Sequence, residues 1–131
     1  MIVIDSSVFI AILEQEPEAE RFLSIIRDAT RTLASAVTVY ETGIVIGARR
    51  GRQSAEELLT FLTELGIEIV PFAEPHISLA LDAYSRFGKG IDPKARLNLG
   101  DCAAYALAKV FNVPLLFKGT DFSQTDIQQY V

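Results

Sequence analysis

The sequence predicts an α/β fold in which a central parallel sheet is covered by helices on both faces. Short β-branched runs alternate with longer amphipathic stretches along the 131 residues, an order typical of parallel sheets. Half of the residues are apolar, which provides a hydrophobic core without disulfides. Because no linker or internal repeat divides the chain, we expect a single domain over residues 1–131.

Short runs rich in β-branched and other apolar residues are predicted as the strands of this sheet. The predicted strands cover residues 1–4, 32–34, 67–70 and 114–117, with a further edge expected at 126–131. The stretches between them carry the 3.6-residue spacing of amphipathic helices. One of these helices has a clear start signal, because Ser54 and Glu57 form a capping-box pattern, and Gly66 supplies its stop.

The last two predicted helices begin at Pro75 and at about residue 99. The apolar residues that share one face of the first are Ile77, Ala80, Leu81, Tyr84 and Phe87. The second is expected to bury Ala103, Leu107 and Val110. Between the two helices, residues 88–98 are rich in glycine, proline and basic residues and are predicted to form a mobile loop.

Composition and charge restrict the classes of function. The single cysteine, Cys102, excludes an internal disulfide and a multi-cysteine zinc site. No run approaches the roughly 20 apolar residues of a membrane span, so we expect a cytoplasmic protein. The net charge of −5 argues against nucleic acid as a partner. Residues 86–118, however, hold six basic and two acidic residues, which favours local binding of a phosphate backbone.

The most informative residues are four acids beside strand ends or helix starts, Asp5, Glu41, Asp101 and Asp121. Ligands of open α/β sheets bind beyond the carboxyl ends of the strands, where Asp5 follows the first strand and Asp121 the last. Like charges gathered at one point repel and raise each other's pKa values, so their convergence predicts a bound cation. Hard divalent ions such as magnesium or manganese prefer oxygen ligands of this kind.

All of these acids except Glu41 also have a simple structural explanation. Asp5 and Asp121 suit helix caps or turns. Asp101 suits the first turn of a helix capped by Asn98, where the helix dipole stabilises a carboxylate by roughly 0.3–1 kcal/mol. Glu41 lies in an otherwise apolar helix, where a buried carboxylate is costly unless it is paired or metal-bound. Glu41 therefore favours the hypothesis of a metal site.

Other catalytic arrangements find no support in the sequence. The only histidine, His76, begins a helix far along the chain from the acids and is expected at the surface or beside a helix cap. Ser6 and Ser7 lie in no nucleophile-elbow pattern, and the glycines near residue 89 form no phosphate-binding loop. Cys102 is expected to be a small buried residue. Metal-dependent hydrolysis is the chemistry that remains.

At this point the sequence resembles a known family over essentially its whole length. The strings that carry the resemblance to PIN-domain ribonucleases are MIVIDSSVFIAIL, the helix with Glu41, LNLGDCAAYALAK and PLLFKGTDFSQTDI. They are most similar to the VapC toxins of bacterial toxin–antitoxin pairs. The resemblance implies a three-layer α/β/α PIN-like domain with a central parallel sheet. It also implies a magnesium-dependent endoribonuclease that hydrolyses RNA phosphodiester bonds.

The resemblance further implies a set of site residues. Asp5, Glu41, Asp101 and Asp121 would form the acidic catalytic site. Asp5 and Asp101 would bind Mg²⁺ directly, with Mn²⁺ as a possible substitute, and Glu41 and Asp121 would complete the shell directly or through water. Ser6 or Ser7 would supply a hydroxyl that hydrogen-bonds the site. Thr120 departs from the family pattern, since many relatives have asparagine there.

The resemblance implies three kinds of partner. A cognate VapB-type antitoxin would cover the acidic groove with its C-terminal segment, RNA would be the substrate, and a second copy would form a homodimer, with a dimer face available on the early helices. Lys89, Lys94, Arg96 and Lys118 are candidates for holding the RNA backbone, since phosphate contacts position a substrate without recognising its bases.

Three other classes of protein fit the sequence less well. A receiver-like signalling module has a similar fold and a lysine near the last strand, here Lys118, but it needs an aspartate after the central strand, where this chain has Pro71 and Phe72. A haloacid-dehalogenase phosphatase needs Asp-x-Asp, whereas Asp5 is followed by two serines. A catalytically silent PIN-like binding domain has no need of four carboxylates.

Overall fold

A computed structural model describes residues 1–130. The strands in this part of the chain are β1 (Ile2–Ile4), β2 (Thr32–Ser35), β3 (Ile67–Val70) and β4 (Leu115–Leu116). The helices are α1 (Ser6–Leu13), α2 (Ala19–Asp28), α3 (Ala36–Arg50), α4 (Arg52–Glu64), α5 (Glu74–Phe87) and α6 (Leu99–Phe111). A short 3₁₀ helix follows at Phe122–Gln124.

The four strands form one parallel sheet in the order β3-β2-β1-β4, which confirms the predicted fold class. From β1 the chain proceeds outward through β2 to β3 and then returns to place β4 on the other side of β1. The order therefore reverses at β1. In open α/β sheets such a reversal leaves a crevice beyond the carboxyl ends of the strands, where ligands bind.

Two hydrophobic clusters lie on opposite faces of this sheet. Side chains alternate along β1, so that Ile2 and Ile4 point to one face and Val3 to the other. The cluster around Ile2 and Ile4 is completed from α1, α2 and α4 by Phe9, Phe22 and Leu62. The cluster around Val3 is completed from α5 and α6 by Ala83, Tyr105 and Leu107. The result is the predicted helix–sheet–helix arrangement.

The apolar stripes of α5 and α6 are less buried than their spacing predicts. Ala103 and Leu107 lie in the core, but Val110 is 40 % exposed, so the prediction for Val110 is wrong. On α5, Ile77, Leu81 and Tyr84 are exposed as well. An apolar face at helical spacing does not by itself distinguish a face that packs on the sheet from one that remains at the surface.

The predicted start of α4 is also wrong. The helix begins at Arg52, two residues before Ser54, because Gly51 alone separates it from α3. Gly51 adopts a φ of 94°, a left-handed conformation that glycine reaches without steric cost. Ser54 then lies inside the first turn and donates its hydroxyl to the Arg50 carbonyl at 3.4 Å instead of capping the helix.

The loop over residues 88–98 is fixed at both ends. The N–H of Lys89 donates to the Leu97 carbonyl at 2.8 Å, and the N–H of Leu97 donates to the Phe87 carbonyl at 2.9 Å. Ala95 and Leu97 are fully buried. These contacts bring the start of α6 to a defined place beside the end of α5.

A polar network fastens the C-terminal segment to α5 and α6. The Tyr105 hydroxyl donates to Asp126 at 2.6 Å and accepts from the Arg86 guanidinium at 2.7 Å. Lys109 lies 3.3 Å from the same carboxylate. Of the edge predicted at 126–131, the structure contains a single bridge between Leu115 and Gln129, and Val131 lies outside the described residues.

No helix within residues 1–130 has the length and the apolar run that crossing a bilayer requires.

Tyr105→Phe tests how much the network of Tyr105, Arg86, Lys109 and Asp126 contributes to the free energy of unfolding. Loss of the buried hydroxyl removes one hydrogen bond to a carboxylate and one from a guanidinium, so the free energy of unfolding should fall by about 1–3 kcal/mol in urea denaturation. Tyr84→Phe is the matched control, because the Tyr84 hydroxyl donates to an exposed carbonyl, that of Lys89. Equal losses in the two variants would show that the network contributes nothing beyond a surface hydrogen bond.

Candidate metal and catalytic site

Asp5 occupies the point where β1 passes into α1. Its backbone N–H donates to the Leu116 carbonyl of β4 at 3.0 Å, while its side chain caps α1. Only 3 % of the residue is exposed. Because the strand order reverses at β1, this carboxylate lies where α/β sheets bind their ligands.

Ser7 fixes the orientation of the Asp5 carboxylate. The Ser7 backbone N–H and hydroxyl donate to Asp5 Oδ2 at 3.0 and 2.6 Å. The Ser7 hydroxyl oxygen in turn accepts the backbone N–H of Lys118 at 2.9 Å. Asp5 Oδ2 is therefore satisfied, whereas Asp5 Oδ1 is buried and has no hydrogen-bond donor in the part of the chain that the structure describes. Of the two serines that the sequence left open, Ser7 is the one whose hydroxyl contacts Asp5.

Asp101 is held by the start of α6. Asn98 and Asp101 form a reciprocal capping box, in which each side chain accepts the backbone N–H of the other residue at 2.9 Å. This confirms the prediction that Asn98 caps the helix. The capping box uses Oδ2 of Asp101. The other carboxylate oxygen takes no part in it.

Glu41 reaches the same region from α3. Its carboxylate lies against Gly100 in the first turn of α6, so closely that a methyl group on Gly100 would overlap both oxygens. Glu41 Oε1 is buried and has no hydrogen-bond donor within residues 1–130. A buried carboxylate oxygen without a partner is costly, so the local structure does not explain Glu41.

Asp121 lies at the edge of this group. It follows the turn after β4, where Gly119 adopts a φ of 102° that glycine reaches without strain. Asp121 lies in the turn that precedes the 3₁₀ helix, which is one of the two roles predicted for it, but its side chain makes no capping hydrogen bond, so the alternative role as a cap is not formed. It is exposed, and its charge contributes to raising the pKa of Asp101.

Burial and neighbouring negative charges raise the pKa values of two acids in the site, Asp5 and Asp101. Burial raises the pKa of Asp5 to about 6, against the hydrogen bonds from Ser7 and with a smaller contribution from the charge of Glu41. Burial and then the charge of Asp5 raise the pKa of Asp101 to about 7, with further contributions from Glu41 and Asp121. The charges of the other acids named from the sequence thus act on Asp5 and Asp101, as like charges do at short range.

This arrangement fits a hard divalent cation with few protein ligands. Two buried carboxylate oxygens, on Asp5 and Glu41, lack a donor, and a cation would satisfy both. Within residues 1–130, no three acidic, histidine or cysteine side chains are gathered tightly enough to enclose an ion by themselves. Mg²⁺ commonly takes one or two carboxylates and keeps several waters, so an open site of this kind suits it.

His76 lies beside the cap of α5, one of the two places that the sequence predicted, but it is buried and not at the surface. It is 5 % exposed because its ring packs edge-on against Phe72 in the β3–α5 connection, with centroids 5.9 Å apart. His76 is also absent from the groups that shift the pKa values of Asp5 and Asp101. It belongs to the packing of α5.

The four basic residues named from the sequence as candidates for holding the RNA backbone differ in whether a carboxylate neutralises their charge. Lys118 lies 2.5 Å from Glu16 and 2.8 Å from Glu18, and hydrogen bonds to these two carboxylates raise its pKa. Sequence reasoning missed this pairing, because no local pattern links residues about one hundred positions apart. Lys89, Lys94 and Arg96 make no ion pair in the part of the chain that the structure describes.

Comparison of the sequence with known families and proteins gives consistent matches. The PIN-domain family model matches residues 2–128. Ribonuclease VapC30 of Mycobacterium tuberculosis is 42 % identical to this chain over 125 residues, which make up 95 % of each protein.

Solved structures show the same fold. The crystal structure of VapC20 of Mycobacterium tuberculosis, described as a Sarcin-Ricin loop cleaving toxin, aligns with a TM-score of 0.80 at 15 % identity, over 99 % of this chain and 98 % of that one. A toxin–antitoxin complex from Klebsiella pneumoniae aligns with a TM-score of 0.71 at 16 % identity, over 96 % and 93 %. At such identities the structures support the fold alone. The family model and the ribonuclease relative, each spanning nearly the whole sequence, place this chain in the PIN-domain family, among the VapC ribonucleases.

Proposed function

We propose that this chain is a magnesium-dependent endoribonuclease that acts in the cytoplasm as the toxin of a toxin–antitoxin pair, with residues 1–131 as its single catalytic domain. The observation that carries the proposal is a pair of buried carboxylate oxygens, Asp5 Oδ1 and Glu41 Oε1, that no group within residues 1–130 satisfies. They lie beside Asp101, which shares their electrostatic environment. Nucleases of this family are generally dependent on divalent metal ions.

In this proposal Asp5 and Asp101 bind the ion directly, and Glu41 and Asp121 add negative charge directly or through water. The bound ion supplies Lewis acidity to the phosphoryl group and a more acidic water for hydrolysis. Ser7 holds Asp5 by Oδ2, which leaves Oδ1 available to the ion. The capping box holds Asp101 in the same way from the start of α6.

The RNA backbone is expected to approach from the loop side of the site. Lys89, Lys94 and Arg96 lie in or beside the turn over residues 88–98 and carry charges that no described carboxylate neutralises. Lys118 is a weaker candidate for this role, because Glu16 and Glu18 already neutralise it. Contacts from these residues would position the phosphates without selecting a base sequence.

Two protein partners complete the proposal, an antitoxin that covers the acidic groove and a second copy that forms a homodimer. The solved toxin–antitoxin complex with the same fold supports the first. The surface supports contact with proteins in general, because two apolar areas are exposed. One lies on α3 and α4 around Tyr40, Ile44 and Leu59, and the other on α5 and α6 around Leu81 and Leu99.

Asp5→Asn and Asp101→Asn test the catalytic assignment. Each change keeps the size of the side chain and an oxygen that can cap a helix, but it removes a charge that holds the ion. Since changes outside the ligand set commonly cost about 10–100-fold in activity, loss of a ligand should exceed that range. Cleavage of a total RNA preparation, followed by sequencing of the new RNA ends, measures the effect.

Glu68→Gln is the matched carboxylate-to-amide control, because Glu68 pairs with Arg31 at the surface on β3. It should cleave RNA as the wild type does. Full activity of Asp5→Asn or Asp101→Asn would remove these residues from the catalytic site.

Addition of Mg²⁺ or Mn²⁺ should raise the melting temperature of the wild-type chain. A ligand that binds only the folded state stabilises it by about 2.7 kcal/mol at one hundred times its dissociation constant. The same addition should have little effect on Asp5→Asn. A melting curve that is unchanged at saturating metal would contradict a site already formed in the folded chain.

The pH dependence of the free energy of unfolding, measured without metal, tests whether folding raises the pKa values of Asp5 and Asp101. Asp5 and Asp101 hold their protons more tightly when folded, with pKa values of about 6 and about 7 against an ordinary value of 3.8. The stability that they contribute is therefore present below about pH 4 and is lost as the pH rises through about 7. In EDTA, Asp5→Asn should be more stable than the wild type at pH 8, by about 2–3 kcal/mol, and similar to it at pH 4.

Asp126→Asn should change the pH dependence of stability in the opposite direction to Asp5→Asn. Burial raises the pKa of Asp126, but hydrogen bonds from Tyr105 and Lys109 outweigh it and hold that pKa below its ordinary value. This variant should therefore be less stable than the wild type at pH 8, with a difference that shrinks in acid. If Asp5→Asn followed the same trend as Asp126→Asn, the desolvated character of Asp5 would be refuted.

A further inference from the structure

Gly100 lies in the first turn of α6 and is buried. Its backbone is helical, unlike that of Gly51, Gly66 and Gly119, whose positive φ angles favour glycine. Nothing in the conformation of residue 100 therefore requires glycine. Within a helix glycine is less favourable than alanine, because it loses more conformational freedom on folding.

The space that a side chain would fill at residue 100 is occupied by the carboxylate of Glu41. A Cβ atom built on Gly100 would overlap both oxygens of Glu41 and the carbon between them. Gly43 of α3 offers a contrast, because a Cβ there would lie 3.7 Å from the nearest atom, in the Leu58 side chain, which is an ordinary contact. A Cβ on Gly88 would also overlap its neighbours, but those atoms belong to Tyr84 of the same helix end, whereas at Gly100 they form a carboxylate of another helix.

We infer that Gly100 is a positioning residue of the site, because the absence of a side chain there is what lets Glu41 of α3 place its carboxylate against the first turn of α6, beside Asp101. The inference rests on the proposed function for the role of that carboxylate towards a metal ion. The contact between Gly100 and Glu41 is seen in the packing and does not depend on that function.

Gly100→Ala has a definite consequence for Glu41. The overlapping atoms are the far end of a flexible side chain, so the carboxylate moves rather than the backbone of either helix. The displaced Glu41 no longer adds its charge beside Asp5 and Asp101. Affinity for the ion should then fall while the fold remains intact, which separates a positioning residue from a residue that only maintains structure.

The test measures the Mn²⁺ dissociation constant by calorimetry for the wild type, Gly100→Ala, the control Gly43→Ala, Glu41→Ala and the double variant Glu41→Ala/Gly100→Ala. Gly100→Ala should weaken binding by about 10–100-fold, and Gly43→Ala should leave it unchanged. The double variant should bind no more weakly than Glu41→Ala, because the carboxylate that the methyl group displaces is already absent. Wild-type affinity in Gly100→Ala, or losses that multiply in the double variant, would overturn the inference.

Melting temperatures in EDTA test the contact independently of any metal. Gly100→Ala should raise the melting temperature more in the Glu41→Ala background than in the wild type, since only the wild type must displace a carboxylate. Equal shifts in the two backgrounds would show that the residues do not interact. A wild-type chain that binds no Mn²⁺ would overturn the proposed function and the positioning role with it. The melting temperatures would still show whether Gly100 and Glu41 interact.

Discussion

The candidate site depends on carboxylates that the fold buries without giving them enough hydrogen-bond donors. Asp5 Oδ1 and Glu41 Oε1 are both removed from water and have no hydrogen-bond partner among the described residues. Burial of a charged group without a partner opposes folding, and the pKa values of Asp5 and Asp101, raised to about 6 and about 7, express the same penalty. The core on the two faces of the sheet must outweigh this penalty. A cation bound at this point, as we propose, would remove it, so folding and ion binding would favour the same arrangement.

The structural and functional explanations of these acids are compatible because a carboxylate has two oxygens. Asp5 uses Oδ2 to cap α1, and Asp101 uses Oδ2 in the capping box of α6. In each case the second oxygen is not needed by the helix. A helix start thus orients the side chain and leaves an oxygen for a ligand. Glu41 has no such anchor, and its position is set instead by the space above Gly100.

Local patterns in the sequence were sufficient for the fold class and for the elements that carry Asp5 and Asp101, because strand ends and helix caps are encoded by neighbouring residues. Apart from the start of α4, where Gly51 lets the helix begin two residues early, the main errors concern contacts between distant parts of the chain. Val110 was expected in the core but is exposed, since a helical stripe does not say which part of it meets the sheet. His76 lies beside a helix cap, as one of its two predicted places requires, but its packing on Phe72 buries it. The pairing of Lys118 with two glutamates joins segments about one hundred residues apart and has no local signal.

The most direct measurement of the central claim is anomalous diffraction from crystals of the wild-type chain soaked in Mn²⁺. An ion held by Asp5 and Asp101 should give one strong anomalous peak at the carboxyl end of β1, within coordination distance of Asp5 Oδ1 and of a carboxylate oxygen of Asp101. That peak should be lost in crystals of Asp5→Asn grown in the same way. Manganese bound only elsewhere on the molecule, with Asp5 Oδ1 still unpaired, would contradict the proposed site.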